Sequence, residues 1–429
     1  MRKMRDSGIE WVGAIPQDWQ LSKIGSLYTQ RNEKVSDKDY QPLSVTMQGI
    51  LPQLATAAKT DDGDNRKLVR VGDFAINSRS DRRGSCGISP LDGSVSLINI
   101  ILTPRTAMHP GYYNWLFHTT LFADEFYKWG HGIVADLWTT RWQEMKSITV
   151  PVPEYAEQER IAAFLDAECA EIDTVLEKTR ASIEEYKKLK QAVITQAVTK
   201  GIRGDRPMKD SGIEWIGDIP AEWRKTQLRH CAAIKSGITL GKKYEKTDSL
   251  VERPYLRVAN VQDGYVDLSV LTTIEVTQDE DLKYRLRAGD VLMTEGGDRD
   301  KLGRGCVWHG EIEPCLHQNH IFAVQTSKDT LLPEFLEYLT VSDVGRSYFD
   351  VTAIKTTNLA CTSSSKVLAF TIPLPSVEEQ AEIVEALNTK CAGIDALVAK
   401  KQQYLTEIEN YKKSLIYEYV TGKKEMHPL

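Results

Sequence analysis

Met4-Arg5-Asp6-Ser7-Gly8-Ile9-Glu10-Trp11-Val12-Gly13-Ala14-Ile15-Pro16-Gln17-Asp18-Trp19 returns, little changed, as Met208-Lys209-Asp210-Ser211-Gly212-Ile213-Glu214-Trp215-Ile216-Gly217-Asp218-Ile219-Pro220-Ala221-Glu222-Trp223. Eleven of the sixteen positions are identical. An internal repeat fixes an architecture before any single residue does, and this one divides the chain into two tandem halves. A second matched pair closes each half. Pro151-Val152-Pro153 is followed by Gln158, Ile161, Leu165, Ile172 and Asp173; Pro373-Leu374-Pro375 is followed at the same spacings by Gln380, Ile383, Leu387, Ile394 and Asp395. The offset of 222 persists to Val198-Thr199 and Val420-Thr421. The halves agree at their edges and differ in their centres.

Composition narrows the class. The 429 residues suffice for two or three domains, each with its own core. With 41% hydrophobic and 27% charged residues, the chain has the balance of a globular protein. No apolar run approaches the length of a membrane span, and Met1-Arg2-Lys3-Met4-Arg5-Asp6 lacks the apolar core of a secretion signal. Seven cysteines with no Cys-x-x-Cys pair read as reduced thiols, so the cytoplasm is the expected compartment. A net charge of −6 argues weakly against nucleic acid. Residues 20–150, however, hold 15 Lys and Arg against 13 Asp and Glu, so a local basic groove is open to them.

In chain order, the glycines and Pro16 of the opening segment break a helix too often, and it reads as an extended strap anchored by Trp11 and Trp19. The first middle shows strand patterns over Pro42–Thr46, Lys67–Asn77, Ser94–Leu102 and Ile148–Val152, and a helix from Pro110 to Trp129. The second repeats the order: strands over Tyr255–Val261, Arg287–Met293, Gly305–His309 and Ile321–Gln325, then a helix from Pro333 to about Phe349. In each, a Gly-Asp pair (Gly72-Asp73, Gly289-Asp290) turns into an apolar strand that runs into a loop rich in basic residues and glycine. The loops are Arg79-Ser80-Asp81-Arg82-Arg83-Gly84 and Asp298-Arg299-Asp300-Lys301-Leu302-Gly303-Arg304-Gly305.

The tails are helical, without proline and with apolar residues on a seven-residue beat. In the first, Leu165, Ile172, Tyr186 and Val193 hold one position of the beat and Ile161, Val175 and Leu189 the other. In the second, Leu387, Ile394, Ile408 and Leu415 hold one, and Ile383, Leu397, Tyr404 and Tyr411 the other. Helices of roughly 60–65 Å, at about 1.5 Å per residue, cannot bury such stripes on a small domain and need each other. The expected fold is α+β: two repeated α/β domains joined by two long helices that pair as an antiparallel coiled coil about a pseudo-twofold. Its boundaries are strap and first domain over 1–152, first helix over 153–200, linker, second strap and second domain over 201–372, second helix over 373–422, and a tail over 423–429.

These features together resemble the specificity subunit of type I restriction–modification systems. The resemblance covers the whole chain and rests on the twice-used strap, the Pro-x-Pro…Gln…Ile start of each helix and the Gly-Asp strand before each basic loop. It implies that the middles are target-recognition domains, each reading one half of a split DNA sequence. It implies that the helices set the gap and dock two methyltransferase subunits, to which the restriction (motor–nuclease) subunits add. It also implies that S-adenosylmethionine, and ATP with Mg for restriction, belong to those partners and no cofactor to this chain.

Given such a role, the DNA-binding candidates are Arg79, Arg82 and Arg83 in one loop and Arg299, Lys301 and Arg304 in the other, since Arg reads guanine edges and both cations hold phosphates. The competing reading is a solvated loop paired with its own Asp81, Asp298 and Asp300. Lys242 and Lys243, beside Tyr244 and Lys246, suit phosphate contact, as do Lys355, Thr356, Thr357 and Asn358; the counterpart of the latter run, Val134-Ala135-Asp136-Leu137, lacks those groups. Cys306, His309, Cys315, His317 and His320 could hold zinc, but a strand pattern points Cys306 and His309 apart, and the other half has Cys86 with no histidine nearby. No Gly-x4-Gly-Lys-Ser/Thr phosphate loop, base-methylation motif or nuclease carboxylate cluster is apparent. A coiled-coil scaffold with protein-binding heads, and a metal-dependent enzyme built on residues 306–320, are the two rival readings.

Overall fold

The computed structural model describes residues 2–53, 63–132, 138–245, 248–297, 302–303, 305–355 and 360–426. The chain forms two units, Met1–Arg180 with Gln403–Leu429, and Ala181–Gln402. Both divisions fall inside a long helix, since Tyr155–Lys200 and Val377–Val420 are each continuous. Each unit therefore holds one strap, one α/β head, the start of its own helix and the end of the other.

The straps form the same small hairpin in both units. Met4–Asp6 pairs with Ala14–Pro16, and Met208–Asp210 with Asp218–Pro220. Gly8, Gly13, Gly212 and Gly217 all have positive φ, which a side chain would strain. Trp19 is buried and donates its indole N–H to Glu157 at 2.9 Å; Trp223 does the same to Glu379 at 2.9 Å. A buried carboxylate needs such partners, and each gets an arginine too. Arg2 reaches Glu157 and covers the Trp19 ring at 5.7 Å; Arg206 reaches Glu379 and covers Trp223 at 5.2 Å. The repeated tryptophans are anchors that seat each strap on the first turn of its helix.

The matched Pro-x-Pro stretches close the heads. Gln20–Lys23 pairs with Thr149–Val152, and Arg224–Gln227 with Thr371–Leu374, so each head's beginning and end are joined just before the helix. The repeated glutamine then ties the corner. Gln158 accepts the backbone N–H of His109 and donates to the Pro153 carbonyl, both at 2.9 Å. Gln380 likewise accepts from Leu332 at 2.8 Å and donates to Pro375 at 3.1 Å.

Each head is built on an antiparallel four-stranded sheet. In the first unit the strand order is Cys86–Ile88, Phe74–Asn77, Asn99–Pro104, Tyr28–Arg31; in the second it is Gly305–Val307, Val291–Thr294, Ile321–Thr326, Ala232–Ser236. Several elements read as single are double. The run at 67–77 is two strands in different sheets, Arg66–Val69 and Phe74–Asn77, because Gly72 at φ 85° turns the chain. The run at 94–102 divides likewise into Gly93–Val95 and Asn99–Pro104. The helix at 110–129 is Pro110–Phe117 plus Thr120–Lys128, separated where the Thr119 hydroxyl caps the second by accepting the Phe122 N–H. The helix at 333–349 is Pro333–Val341 plus Asp343–Thr352, broken by extended Ser342.

The long helices run antiparallel in both units. In the first, Lys412 bonds Asp173 at 2.6 Å while Arg180, further along, bonds Glu409, further back, at 2.6 Å. In the second, Lys190 bonds Asp395 at 2.7 Å and Arg203 bonds Glu382 at 2.9 Å. Leu165, Leu387 and Leu415 are buried, and Ile172, Tyr186, Val193, Ile394 and Ile408 are half-buried, on the inner faces. The second position of the beat differs from the sequence reading. Ile161 and Ile383 are buried where the helices leave their heads, but Val175, Leu189, Leu397, Tyr404 and Tyr411 are 39–54% exposed. The inner position is the next residue along: Cys169, Leu176 and Ile183 on one helix, Cys391 on the other, all buried, with Val398 and Leu405 half-buried. A one-residue shift turns a side chain by about 100°, and strong apolar residues on the outer position drew the assignment there.

The helix ends are shared out. Ile194, Ala197 and Val198, at the end of the first helix, lie in the core of the second unit with Ile219, Trp223 and Phe335. Leu415, Tyr419 and Val420, at the end of the second, lie in the core of the first unit with Ile15, Trp19 and Phe122. Lys423 and Tyr417 donate to the Val12 carbonyl, which brings the chain's last turn onto its opening strap.

Candidate nucleic-acid interface

The Gly-Asp turn is one device used twice. The Asp73 carboxylate accepts the Arg70 N–H at 2.9 Å, and that of Asp290 accepts the Arg287 N–H at 3.0 Å. Both aspartates are buried. Gly72 N–H bonds Ser89 while Ser89 N–H bonds Asp73; Gly289 N–H bonds Trp308 while Trp308 N–H bonds Asp290. The turn fixes the following strand, and with it the loop at the strand's far end.

That loop meets a hairpin lying just before the head closes. In the first unit Arg79 bridges Thr139, and Thr139 bridges His131. Ser80 N–H bonds the Trp138 carbonyl at 2.9 Å and Thr140 N–H bonds that of Ser78 at 3.0 Å. Buried Tyr127 holds the loop from below, donating to the carbonyls of Asn77 at 2.9 Å and Arg82 at 3.3 Å. In the second unit Gly296 pairs with Cys361, Cys361 with Ile354, and Lys355 with Ala360. Thr139 and Cys361 stand 222 apart, as the tails do; Arg79 and Gly296 stand 217 apart, as the Gly-Asp turns do. Both heads thus carry the same pairing between the end of the Gly-Asp strand and the segment before the head closes, while the hairpin partner differs by one residue: Thr139 faces His131, eight back, and Cys361 faces Ile354, seven back. The pairing brings the start of the loop at 79–83 beside Trp138 and Thr139, and Gly296 and Gly297 beside Ala360 and Cys361.

In the first loop Arg82 and Arg83 are exposed and Arg79 is half-buried, and all three are ion-paired. Arg79 meets Asp81 at 3.1 Å, Arg82 meets the same carboxylate at 4.0 Å, and Arg83 pairs with Asp124 on the helix Thr120–Lys128. Such pairs at a wet surface contribute little stability and exchange readily for phosphate. Lys242 pairs with Glu280 and lies over the Tyr244 ring at 5.5 Å. Glu280 is pulled down to about 2: its bonds to Lys242, the Thr277 N–H and Tyr244 outweigh the opposing effect of burial. Lys243 is exposed. These lysines follow Ile238, which bonds His317 and Asn319; His320 in turn bonds Glu295, beside Gly296. Arg299, Lys301, Arg304, Thr356, Thr357 and Asn358 lie outside the described residues, as do Lys246 and the run at 134–137, and of Lys355 only the backbone is described.

The Cys-His cluster of the second half is dispersed. Cys306 and Cys315 are core thiols, each pushed up to about 12 by burial. His317 is fully buried, its Nδ1 3.0 Å from the Ile321 carbonyl, and burial pushes it down to about 4. His309 and His320 are exposed, His320 against Glu295. Among the described residues, no group of three His, Cys, Asp or Glu could hold a metal.

A cavity of about 830 Å³ in the second unit lies between the head and the paired helices, lined by Lys187, Lys190, Asp263, His309, Glu337 and Asn388 among others. Burial, then the charge of Glu334, raises the Glu337 carboxyl from its usual range to about 7. A raised carboxyl favours the protonated folded state. The cost of ionising it is absent below the unfolded value near 4.5, grows as pH rises, and is complete above about 7. Glu337→Gln is therefore expected to raise Tm relative to wild type at pH 8 and to change it much less at pH 5. Equal shifts at the two pH values would contradict this.

Each unit thus joins one strap, one α/β head and two antiparallel helix segments. No family model matches the chain. It is 23% identical over 442 residues to the type I restriction enzyme EcoKI specificity subunit of Escherichia coli K12, covering 96% of this chain and 90% of that one. It is 25% identical over 208 residues to the putative type I restriction enzyme MjaX specificity subunit of Methanocaldococcus jannaschii, covering 48% of this chain and 47% of that one. The fold matches the HsdS subunit of Thermoanaerobacter tengcongensis with a TM-score of 0.53, 18% identity, and coverage of 96% of this chain and 98% of that one. It matches a chain from a study of the assembly and conformational transition of the type I R-M system with a TM-score of 0.72, 16% identity, and coverage of 96% and 99%. The chain thus resembles the EcoKI and Thermoanaerobacter specificity subunits along nearly its whole length, and the MjaX subunit along about half of it. Among the described residues no helix is long and apolar enough to cross a membrane.

Proposed function

We propose that this chain is the non-catalytic DNA sequence-recognition subunit of a cytoplasmic type I restriction–modification system. Each head reads one half of a bipartite target, and the bases between the halves go unread. The observation that carries this is the strand-end pairing, Arg79 with Thr139 and Gly296 with Cys361, built twice but faced with different side chains. A constant frame with variable faces is what two readers of different sequences require, because base edges are discriminated by side-chain identity. Reading sites at a fixed separation from a rigid body is the strategy of dimeric DNA-binding proteins.

The paired helices supply the docking surface for two methyltransferase subunits, which carry S-adenosylmethionine and through which ATP- and Mg-dependent restriction subunits join. Supporting this, the exposed apolar residues of the helices come in repeat-related sets. Val175 and Tyr411 in the first unit correspond to Leu397 and Leu189 in the second, at the offset of 222. One patch per unit suits two copies of one partner.

Changing Arg79, Arg82 and Arg83 together to Ala in the assembled complex is expected to weaken DNA binding and flatten its salt dependence. Each lost phosphate contact lowers the slope of log K against log salt by about 0.9. Titrations at several salt concentrations check this; an unchanged slope with the fold intact removes the loop from the interface. The function itself is tested by selection from random-sequence duplexes with and without the methyltransferase subunits. Enrichment of a two-block sequence supports it, and no enrichment by the complete complex contradicts it.

A further inference from the structure

The geometry points to Trp138 as a DNA-contacting side chain of the first reader, an aromatic wedge or stacking face beside the loop arginines. This rests on the DNA-recognition reading above and goes beyond it to one residue. The register of the two pairings sets Trp138 against Ala360, as it sets Thr139 against Cys361 and Arg79 against Gly296. Ala360 is buried, while Trp138 is 39% exposed. Trp11, Trp19 and Trp223 show that this chain buries a tryptophan where it needs an anchor; Trp138 is held out instead.

Its position is fixed. The Trp138 carbonyl takes the Ser80 N–H at 2.9 Å, and Thr139 next to it bridges both Arg79 and His131. Its Cβ rests close to Gly130, where a methyl group would come within 3.2 Å of it. Exposed Trp129, by contrast, is engaged by its own helix, its indole N–H bonding Glu125 at 2.9 Å. Trp138 thus presents a preorganised apolar face on the segment whose backbone is bonded to the arginine loop, opposite Ser80 and next to the loop that carries Arg79, Arg82 and Arg83. Charge selects the occupant. A basic loop bonded to the segment that carries an exposed aromatic suits a polyanion whose bases or sugars offer flat apolar surface, and duplex DNA is that polyanion. The second head carries nothing comparable at Ala360, so the contact belongs to one half-site only.

The test uses the full chain in complex with its partner subunits and a random-sequence duplex library. The target enriched by wild type is then offered to Trp138→Ala and Trp138→Leu. Both are expected to bind it about tenfold or more weakly, the scale of an aromatic–base contact, and to lose base preference within one block only. Trp138→Phe, which keeps a ring, retains most of both. Trp138→Leu guards against a folding defect because it keeps apolar bulk, and melting curves matching wild type confirm it. Unchanged affinity and an unchanged enriched sequence for Trp138→Leu would overturn the assignment. So would impaired assembly with the partner subunits at unaltered base preference, which would make Trp138 a protein contact. Enrichment of no sequence by wild type would withdraw the DNA-recognition reading itself, and is recognisable because it does not depend on the variants.

Discussion

A fragment beginning near Gly204 and ending at Leu429 is expected to form a stable dimer and, with partner subunits, to recognise an interrupted palindrome. The fragment keeps one strap, one head and one long helix, but loses the first helix. Its head then lacks Ile194, Ala197 and Val198, which sit in its core, and its helix leaves Leu387, Ile394 and Cys391 without a facing partner. Exposing large apolar side chains costs roughly 1.5–3 kcal/mol each, enough in sum to make a lone copy unfavourable. A second copy can repair this. At the offset of 222, Ile416, Tyr419 and Val420 are the repeat equivalents of Ile194, Ala197 and Val198. The helix end of each copy can therefore enter the head of the other through an isologous twofold contact. Tyr419 in the place of Ala197, and Leu415 in the place of Val193, are changes of size the core must accommodate. Two identical heads then read the same half-site in opposite directions. Sedimentation and methylation mapping check the two parts; a stable monomer contradicts the packing argument, and a dimer with a non-palindromic site contradicts the twofold.

Replacing residues 20–150 by the corresponding middle of a relative is expected to change one half of the target completely and to leave the other half unaltered. The strand pair Gln20–Lys23 with Thr149–Val152 closes the first head at its base. The exchanged segment thus begins and ends on adjacent strands of one small sheet. The Gln158 corner and the Trp19–Glu157 anchor lie outside it and stay with the recipient. The first unit's core does draw on Leu415, Tyr419 and Val420 of the second helix, so a donor head must accept these residues to fold. Methylation maps of the chimera decide the matter. Changes in both halves would show that the heads do not read independently.

Much of this architecture was legible in the sequence because repetition is a signal that needs no alignment. The strap, the Pro-x-Pro closure, the corner glutamine and the Gly-Asp turn all recur, and each proves to be a packing or hydrogen-bonding device of the frame. What was not legible is local. The seven-residue beat was read one residue off in one of its two positions, because Val175, Leu189, Leu397, Tyr404 and Tyr411 are as apolar as the Cys169, Leu176 and Ile183 that face inward. A hydrophobic stripe on the outside of a helix pair is indistinguishable by composition from one inside. The double helices of each head read as single, because the breaks fall at Thr119, whose hydroxyl caps the second helix, and at Ser342, whose hydroxyl bonds back to the Leu339 carbonyl, with no proline or glycine at either residue. For the candidate interface, the basic loops stood out by charge, but the hairpin that meets the first of them did not. Trp138 reads as a core residue in any hydrophobicity pattern, and only its exposure beside Arg79 sets it apart.

The central claim is that one chain carries two independent readers of one split DNA sequence. It is tested most directly by mapping modified bases across the genome of a host carrying the chain with its methyltransferase partner, and again after this chain alone is deleted. The account predicts adenine methylation at a single motif of two short specified blocks separated by a gap of constant length, and its complete loss on deletion. Methylation that persists without the chain, or a motif of one uninterrupted block, would contradict it.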